Sequence, residues 1–396
     1  MSKKKIVLAF SGGLDTSYCV PFLKQEYDAE IYTVLVNTGG FDQQELAEKE
    51  QHAHRLGAHA HTNIEQTQQF YDDVIRYLIF GNVLKNHTYP LCVSAERVFQ
   101  AVAIANYALE IDADALAHGS TGAGNDQVRF DLVFNVMAPD LDIITPIRDQ
   151  QLTRQEELEF LQKQGVDLEW TEAKYSVNQG LWGTSVGGAE TLTSHKPLPE
   201  EAWPSQLEKE DSESISIKFE KGEPVALDGE AMEPVNLIKT LDKIASAYAI
   251  GRDIHVGDTI IGIKGRVGFE AAAPLILIKS HQHLEKHVLT KWQLHWKDQL
   301  ADWYGMMLHE GQYLDPVMRN IEAFLTDTQQ NMTGTVSLRL APYRFDIEGI
   351  SSPNDLMNAK FGDYGEMNKA WSGEDVKGFA KILSNQIKIH QSVNDQ

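Results

Sequence analysis

Two stretches of this chain gather residue types that do chemistry at close spacing. In the first, the apolar run Lys5-Ile6-Val7-Leu8-Ala9-Phe10 stops at Ser11-Gly12-Gly13-Leu14-Asp15-Thr16-Ser17. The run reads as a buried strand, and two glycines followed by an acid and hydroxyls read as a tight turn into a helix. The N–H groups and partial positive charge of a helix start make such a junction an anion site. In the second, Gly119-Ser120-Thr121-Gly122-Ala123-Gly124-Asn125-Asp126 leads to Arg129. Its glycines let backbone N–H groups approach a carboxylate or phosphate, and an arginine fork pairs bidentately with a carboxylate. Taken singly, each stretch also has a plain structural reading: a glycine turn in one, a helix cap with a surface ion pair in the other.

The missing patterns narrow the anion. A lysine-bearing phosphate loop needs Gly-x-x-x-x-Gly-Lys-Ser/Thr and a dinucleotide fold needs Gly-x-Gly-x-x-Gly, and the sequence has neither. What stands instead is Ser-Gly-Gly-x-Asp-x-Ser, the pyrophosphate loop of the adenine-nucleotide α-hydrolases. Its hydroxyls and N–H groups can hold the β- and γ-phosphates of ATP as a departing unit, and its acid can hold Mg²⁺.

The elements around these loops alternate. Asp15 is expected to cap a helix to about Tyr27, with Pro21 kinking it or removing a hydrogen bond. A strand over 29–37, a helix over 42–56, a strand from Gly57, and helices over 65–80 and 95–109 follow. Strands at 114–118 and 141–146 close the series, and Thr153 with Glu156 forms a capping box for a helix to Gln164. This is an α/β pattern: a parallel sheet covered on both faces, with ligands beyond the carboxyl ends of its strands. Past Val166 the rhythm becomes α+β. Residues 182–188 read as a loop of small residues, 214–219 and 255–263 as strands, and 235–248 as a helix. Residues 274–308 read as one long helical region and 333–347 as a strand pair. A capped helix over 372–390 carries Val376, Phe379, Leu383 and Ile387 on one stripe, and as the final element it suits packing on another subunit. The expected division is 1–165, a nucleotide-binding domain; 166–370, a synthetase domain; and 371–396, an oligomerisation helix.

Composition sets outer bounds. With 396 residues the chain exceeds one ordinary core. A formal charge of -22 argues against a general nucleic-acid surface, though a local cluster can still bind a small anion. No stretch is long and apolar enough to span a bilayer, and the basic start has no cleavage pattern. The two cysteines, Cys19 and Cys92, imply no disulfide framework and a reducing, cytoplasmic setting, and both read as buried thiols. His52, His54, His59 and His61, like His281, His283 and His287, lack partners at ligand spacing and read as surface histidines.

Further segments choose among the families that share the loop. Tyr89-Pro90-Leu91-Cys92-Val93-Ser94-Ala95-Glu96-Arg97, the run His118–Phe130, and Tyr175-Ser176 with Trp182-Gly183-Thr184-Ser185 together resemble the argininosuccinate synthases. The opening run is similar to that family's, with Phe10 in place of a tyrosine. The resemblance extends to about Ser194 and returns more weakly over 251–270. It implies an ATP-dependent ligase that condenses citrulline with aspartate through citrullyl-AMP, releasing pyrophosphate and then AMP. It places ATP against Ala9, Phe10, Ser11, Gly12, Gly13, Leu14, Asp15, Thr16, Ser17, Val36 and Gly119. Citrulline falls to Tyr89, Ser94, Arg97, Asn125, Arg129, Ser176 and Ser185, and aspartate to Thr121, Asn125 and Asp126. Asp15, Ser17 and Asp126 stand closest to the chemistry, and a homotetramer is implied.

Three positions depart from the family pattern. Ala123 stands where a lysine is usual. Gly257 and Phe269 stand where a glutamate and a tyrosine would contact citrulline, and neither can make the expected hydrogen bond. Either His255 or Asp258 takes over that end of the pocket, the reading favoured here, or the pocket suits an N-acylated citrulline. Other ATP pyrophosphatases, amidating or tRNA-thiolating, are the alternative enzymes. A non-catalytic nucleotide binder is the alternative outside catalysis.

Overall fold

A computed structural model describes residues 3–166, 174–358 and 370–395. Strands β1 (Lys5–Ala9), β2 (Glu30–Asn37), β3 (Ala60–Glu65), β4 (Ala115–His118) and β5 (Asp142–Ile144) form a parallel sheet in the order β3-β2-β1-β4-β5. The central strand shows why it is buried on both sides. Ile6 and Leu8 face a core with Leu14, Cys19 and Leu161, while Val7 and Ala9 face the opposite core with Phe70 and Phe134. The chain builds outward from β1 to β3, then returns beside β1 as β4. The order reverses between β1 and β4, and in open parallel sheets the carboxyl ends of the strands at such a reversal are where ligands bind.

Helices α1 (Leu14–Tyr27), α2 (Gln43–Arg55), α3 (Thr67–Phe70), α4 (Arg76–Phe80), α5 (Ser94–Glu110), α6 (Asp126–Met137), α7 (Pro146–Gln150) and α8 (Arg154–Lys163) cover this sheet. Gly13, not Asp15, is the N-cap of α1; Asp15 lies in its first turn, and the helix continues through Pro21. Capping boxes at Asp42/Glu45 and Thr153/Glu156 start α2 and α8. The helix expected over 65–80 contains a π-helical stretch, Tyr71–Ile75, between α3 and α4. Tyr71 and Arg76 both reach Glu223 from it.

Two antiparallel sheets follow. One, ordered β10-β9-β8-β13-β14, joins β8 (Glu213–Glu220), β9 (Glu223–Leu227), β10 (Glu230–Ala231), β13 (Gly334–Ala341) and β14 (Arg344–Ser351). The other, ordered β11-β12-β7-β6, joins β6 (Ser176–Gly180), β7 (Gly183–Gly187), β11 (Arg252–Asp258) and β12 (Lys264–Glu270). The stretch expected as a loop at 182–188 is therefore an inner strand. Its small residues answer to close packing: a Cβ at Gly183 would lie 2.8 Å from Cys92 Sγ. Strands β6, β9, β10 and β12 escaped the sequence reading, as did α12 (Pro316–Thr328).

Helix α9 spans Pro234–Ser246, near its expected range. The single helix expected over 274–308 is two, α10 (Ala272–Val288) and α11 (Lys291–His309). Leu289 turns extended and Thr290 caps α11 in a box with Gln293. One apolar core runs continuously from the Val7 face of the parallel sheet into α10 and α11. His281 lies inside it, fully buried, bonded to Asn82 at 2.7 Å and Gln329 at 2.8 Å, so it is not a surface histidine.

The terminal helix is also two, α13 (Gly373–Leu383) and α14 (Asn385–Asn394), and neither buries a side chain. Both cysteines are buried and free, and burial pushes both thiols well up. Among the described residues no helix is long and apolar enough to cross a membrane.

Candidate functional site

The turn after β1 runs through Gly12 at φ +71°, the left-handed region that glycine adopts without a Cβ clash. Gly13 N donates to Ser11 Oγ at 3.3 Å, and Ser17 N donates to Gly13 O at 2.9 Å as the helix begins. Ser11 Oγ lies 3.3 Å from Thr16 Oγ1. Ser17 is buried, and its Oγ sits 2.8 Å from Nε2 of His52 on α2. Phe10 anchors this corner, its ring beside those of His52 and His61. Asp15 turns toward α8, where its carboxyl meets that of Glu157. Burial pushes both carboxyls up, and the Asp15 charge helps lift Glu157 to about 8.

Strand β4 brings the second glycine loop against the first. A Cβ at Gly119 would stand 3.2 Å from Asp15 C and Thr16 N, a tight approach to backbone that glycine eases. The loop then enters α6. Asn125 occupies the cap position without capping; its Oδ1 accepts instead from Ile260 N at 2.8 Å, across the tip of the β11–β12 hairpin. The plain cap reading fails here. Asp126 is gripped by Arg129 Nη1 at 2.7 Å and Arg97 Nε at 3.4 Å. Burial pushes its carboxyl up, but the two guanidiniums outweigh that and hold it below the usual carboxylate range. Arg129 is itself buried and donates from Nε to His309 O at 2.9 Å. Burial, then the Arg129 charge, pushes His309 down to about 3, so its ring is neutral. Thr121 is exposed on the loop.

The third side comes from 89–97 and the β6–β7 hairpin. Tyr89 is buried, its ring 4.9 Å from His255 and 5.3 Å from Phe269. Ser94 Oγ is buried beside the Tyr89 hydroxyl. Trp182 Nε1 donates to Pro90 O at 2.9 Å, Arg97 Nη2 to Asn178 Oδ1 at 3.1 Å, and Gly180 leaves space that the Glu96 carboxylate fills. Directly opposed strand residues share a face. Asn178 opposes Ser185, Ser185 opposes Phe269, and Ser176 opposes Gly187. Ser176, Ser185 and Phe269 therefore share the face that meets Arg97 and Tyr89. Ser185 is buried there and Ser176 is exposed toward the edge. A side chain at Gly257 would fall 2.5 Å from the His255 ring, which occupies that space, and Asp258 pairs with Lys264 at 2.7 Å.

Val36 is the penultimate residue of β2, its carbonyl 3.4 Å from Gln100 Nε2. The fold brings the Ser11–Ser17 turn against Gly119 and sets Asp126 between Arg97 and Arg129, while Thr121 and Ser176 stand exposed. Sequence reasoning missed Lys49, Glu96, Glu157, Asn178 and His309. Lys49 and His52 stand three apart on one helix, a spacing that puts both on one face and was available as a signal.

The chain matches the arginosuccinate synthase N-terminal HUP domain over residues 5–167 and the arginosuccinate synthase C-terminal domain over residues 175–390. It is 36% identical to an argininosuccinate synthase of Methanocaldococcus jannaschii, covering 97% of each chain. It is 36% identical to those of Dictyoglomus turgidum, over 98% of each, and Xanthomonas campestris, over 100% of each. Matches that span both halves, on a fold whose two glycine loops meet at the strand reversal, place this chain in the argininosuccinate synthase family.

Proposed function

We propose that this protein condenses citrulline with aspartate at the expense of ATP, giving argininosuccinate, AMP and pyrophosphate, in arginine biosynthesis. The observation that carries the reading is the grip of Arg97 and Arg129 on Asp126, on a loop packed against the Ser11–Ser17 turn. ATP lies along Ala9 to Ser17, Val36 and Gly119, with its terminal phosphates on the N–H groups and hydroxyls of the turn. The ureido oxygen of citrulline attacks the α-phosphorus, pyrophosphate leaves, and the aspartate amine then displaces AMP from citrullyl-AMP. Tyr89, Ser94, Arg97, Asn125, Arg129, Ser176 and Ser185 orient citrulline; Thr121, Asn125 and Asp126 orient aspartate. Because Asp126 is held as a carboxylate of low basicity, it suits binding the aspartate ammonium rather than removing its proton.

Asp15, with Glu157 beside it, suits a Mg²⁺ held chiefly by phosphate oxygens, which would screen their charge. The buried thiols are unsuited to covalent catalysis. A cytoplasmic homotetramer completes the reading, with α13 and α14 packed on a neighbouring subunit.

Pyrophosphate release that requires both citrulline and aspartate is the expected result. Release without aspartate, in the presence of ammonia or a sulfur donor, would overturn the assignment in favour of an amidating or thiolating enzyme. One observation favours a second reading, a ligase for an N-acylated citrulline. His309 sits among Arg129, Lys85 and His255, and the nearby carboxylates Asp258 and Glu310 already face Lys264 and Lys85, an environment with little left over to hold a free α-ammonium. A kinetic comparison of citrulline with N-acetyl- and N-succinylcitrulline separates the two.

A further inference from the structure

The Ser11–Ser17 turn has no lysine of its own, yet a cation reaches it from the next helix. Lys49 lies three residues before His52 on α2, so the two side chains leave one face. His52 bonds Ser17 at 2.8 Å. Lys49 lies over the turn itself: a Cβ at Gly12 would stand 2.6 Å from Lys49 Cδ and 3.1 Å from its Nζ. Among the described residues no carboxylate pairs with this ammonium and no hydrogen bond holds it, although the side chain is partly buried. Its helix neighbour Glu50 faces His54 instead, at 3.9 Å. An unpaired cation laid across a loop of N–H groups and hydroxyls concentrates positive field at one spot.

We propose that Lys49 holds the terminal phosphates of ATP on the Gly12–Ser17 turn, doing from α2 what a loop lysine does in other nucleotide sites. His52 is a positioning residue that fixes the Ser17 hydroxyl. This deepens, and rests on, the ATP-dependent reading given above. In the adenylation step the ureido oxygen of citrulline bonds to the α-phosphorus. The bond from that phosphorus to the bridging oxygen breaks, and its electron pair leaves on pyrophosphate. The charge so gathered on the leaving group falls beside the Lys49 ammonium, where it is stabilised more than in ground-state ATP. Gly12 answers to its positive φ, and a Cβ there would push the far end of the Lys49 side chain aside.

The test is calorimetric titration of inorganic pyrophosphate into the full chain, with no amino-acid substrate, for wild type, Lys49→Met and Lys49→Arg. Methionine keeps the helix-forming stem and removes the charge. Lys49→Met is expected to weaken pyrophosphate binding by about tenfold or more, and Lys49→Arg by about threefold or less. In turnover, Lys49→Met is expected to lower kcat/KM for ATP by about 100-fold while KM for citrulline and aspartate moves by about twofold at most. An unchanged thermal midpoint separates this from a structural role. Pyrophosphate binding that is absent in wild type, or equally tight in wild type and Lys49→Met, overturns the proposal. Lys49-dependent pyrophosphate binding by a protein that releases none with citrulline and aspartate supports the phosphate grip and rejects the wider reaction.

Discussion

Asp126, Arg97 and Arg129 form a triangle in which the geometry of each guanidinium matters. Arg129 divides its fork between Asp126 Oδ1 at 2.7 Å and the His309 carbonyl at 2.9 Å. A lysine carries one compact ammonium and does not reproduce the fixed spacing of the two guanidinium donors. Arg129→Lys is therefore expected to lower kcat/KM for citrulline and aspartate by about 100-fold or more in steady-state assays. A nearly unchanged value would show that the fork is dispensable. Glu96 raises a different question. It is buried beside Gly180, and burial lifts its carboxyl to about 8 against the opposing pull of Arg97. A carboxyl that binds its proton more tightly folded than unfolded favours the native state at low pH. That contribution is lost as pH rises through the folded pKa. Glu96→Gln cannot ionise, so its stability relative to wild type is expected to rise between pH 5 and pH 9, by roughly a few kcal/mol. Denaturant unfolding across that range checks it, and two parallel pH profiles would refute it.

Between elements, a buried polar network locks α10 and α11 to the turn after α4. Lys297 Nζ donates to both oxygens of Glu285 at 2.9 Å, and Asn82 Nδ2 donates to the same carboxylate at 2.6 Å. His281, pushed down to about 3 by burial and by Lys297, stays neutral inside this network. Lys297→Met would leave the Glu285 charge buried and short of its partner, a loss of about 3–5 kcal/mol in chemical unfolding. Adding Glu285→Met is expected to recover much of it, since the pair rather than either charge is what burial tolerates. The break between these helices has a local signal that the reading of one helix over 274–308 passed over, since Thr290 and Gln293 spell a capping box. The β7 strand was not. Its glycines and small hydroxyls look like a loop, and only contact with Cys92 and the flanking strands β6 and β12 makes them strand residues.

For the whole molecule, the exposed tail stands apart. Val376, Phe379, Leu383 and Ile387 follow helical spacing, yet each is at least 50% exposed in the single chain. Burying such a stripe on a second subunit would remove that surface from water. If the proposed tetramer forms through this tail, deletion of residues 371–396 is expected to reduce the solution mass toward that of a monomer by light scattering. The thermal transition of the remainder should persist. An unchanged mass would remove the tail from assembly.

The sequence by itself determined the parallel sheet, its alternating helices and the two glycine loops at the strand ends. Those features depend on local periodicity, caps and turn residues, which are written along the chain. Ser11–Ser17 and Gly119–Arg129 were legible for the same reason, since glycine and helix-start requirements are local. Only the tertiary structure decided what lies opposite them. The reversal between β1 and β4 sets Gly119 on the first turn of α1. The α2 helix carries Lys49 and His52 over the Ser11–Ser17 turn, and the β6–β7 hairpin docks Asn178 on Arg97. Partners of this kind come from far along the chain, and no local pattern encodes which side chain will face which loop.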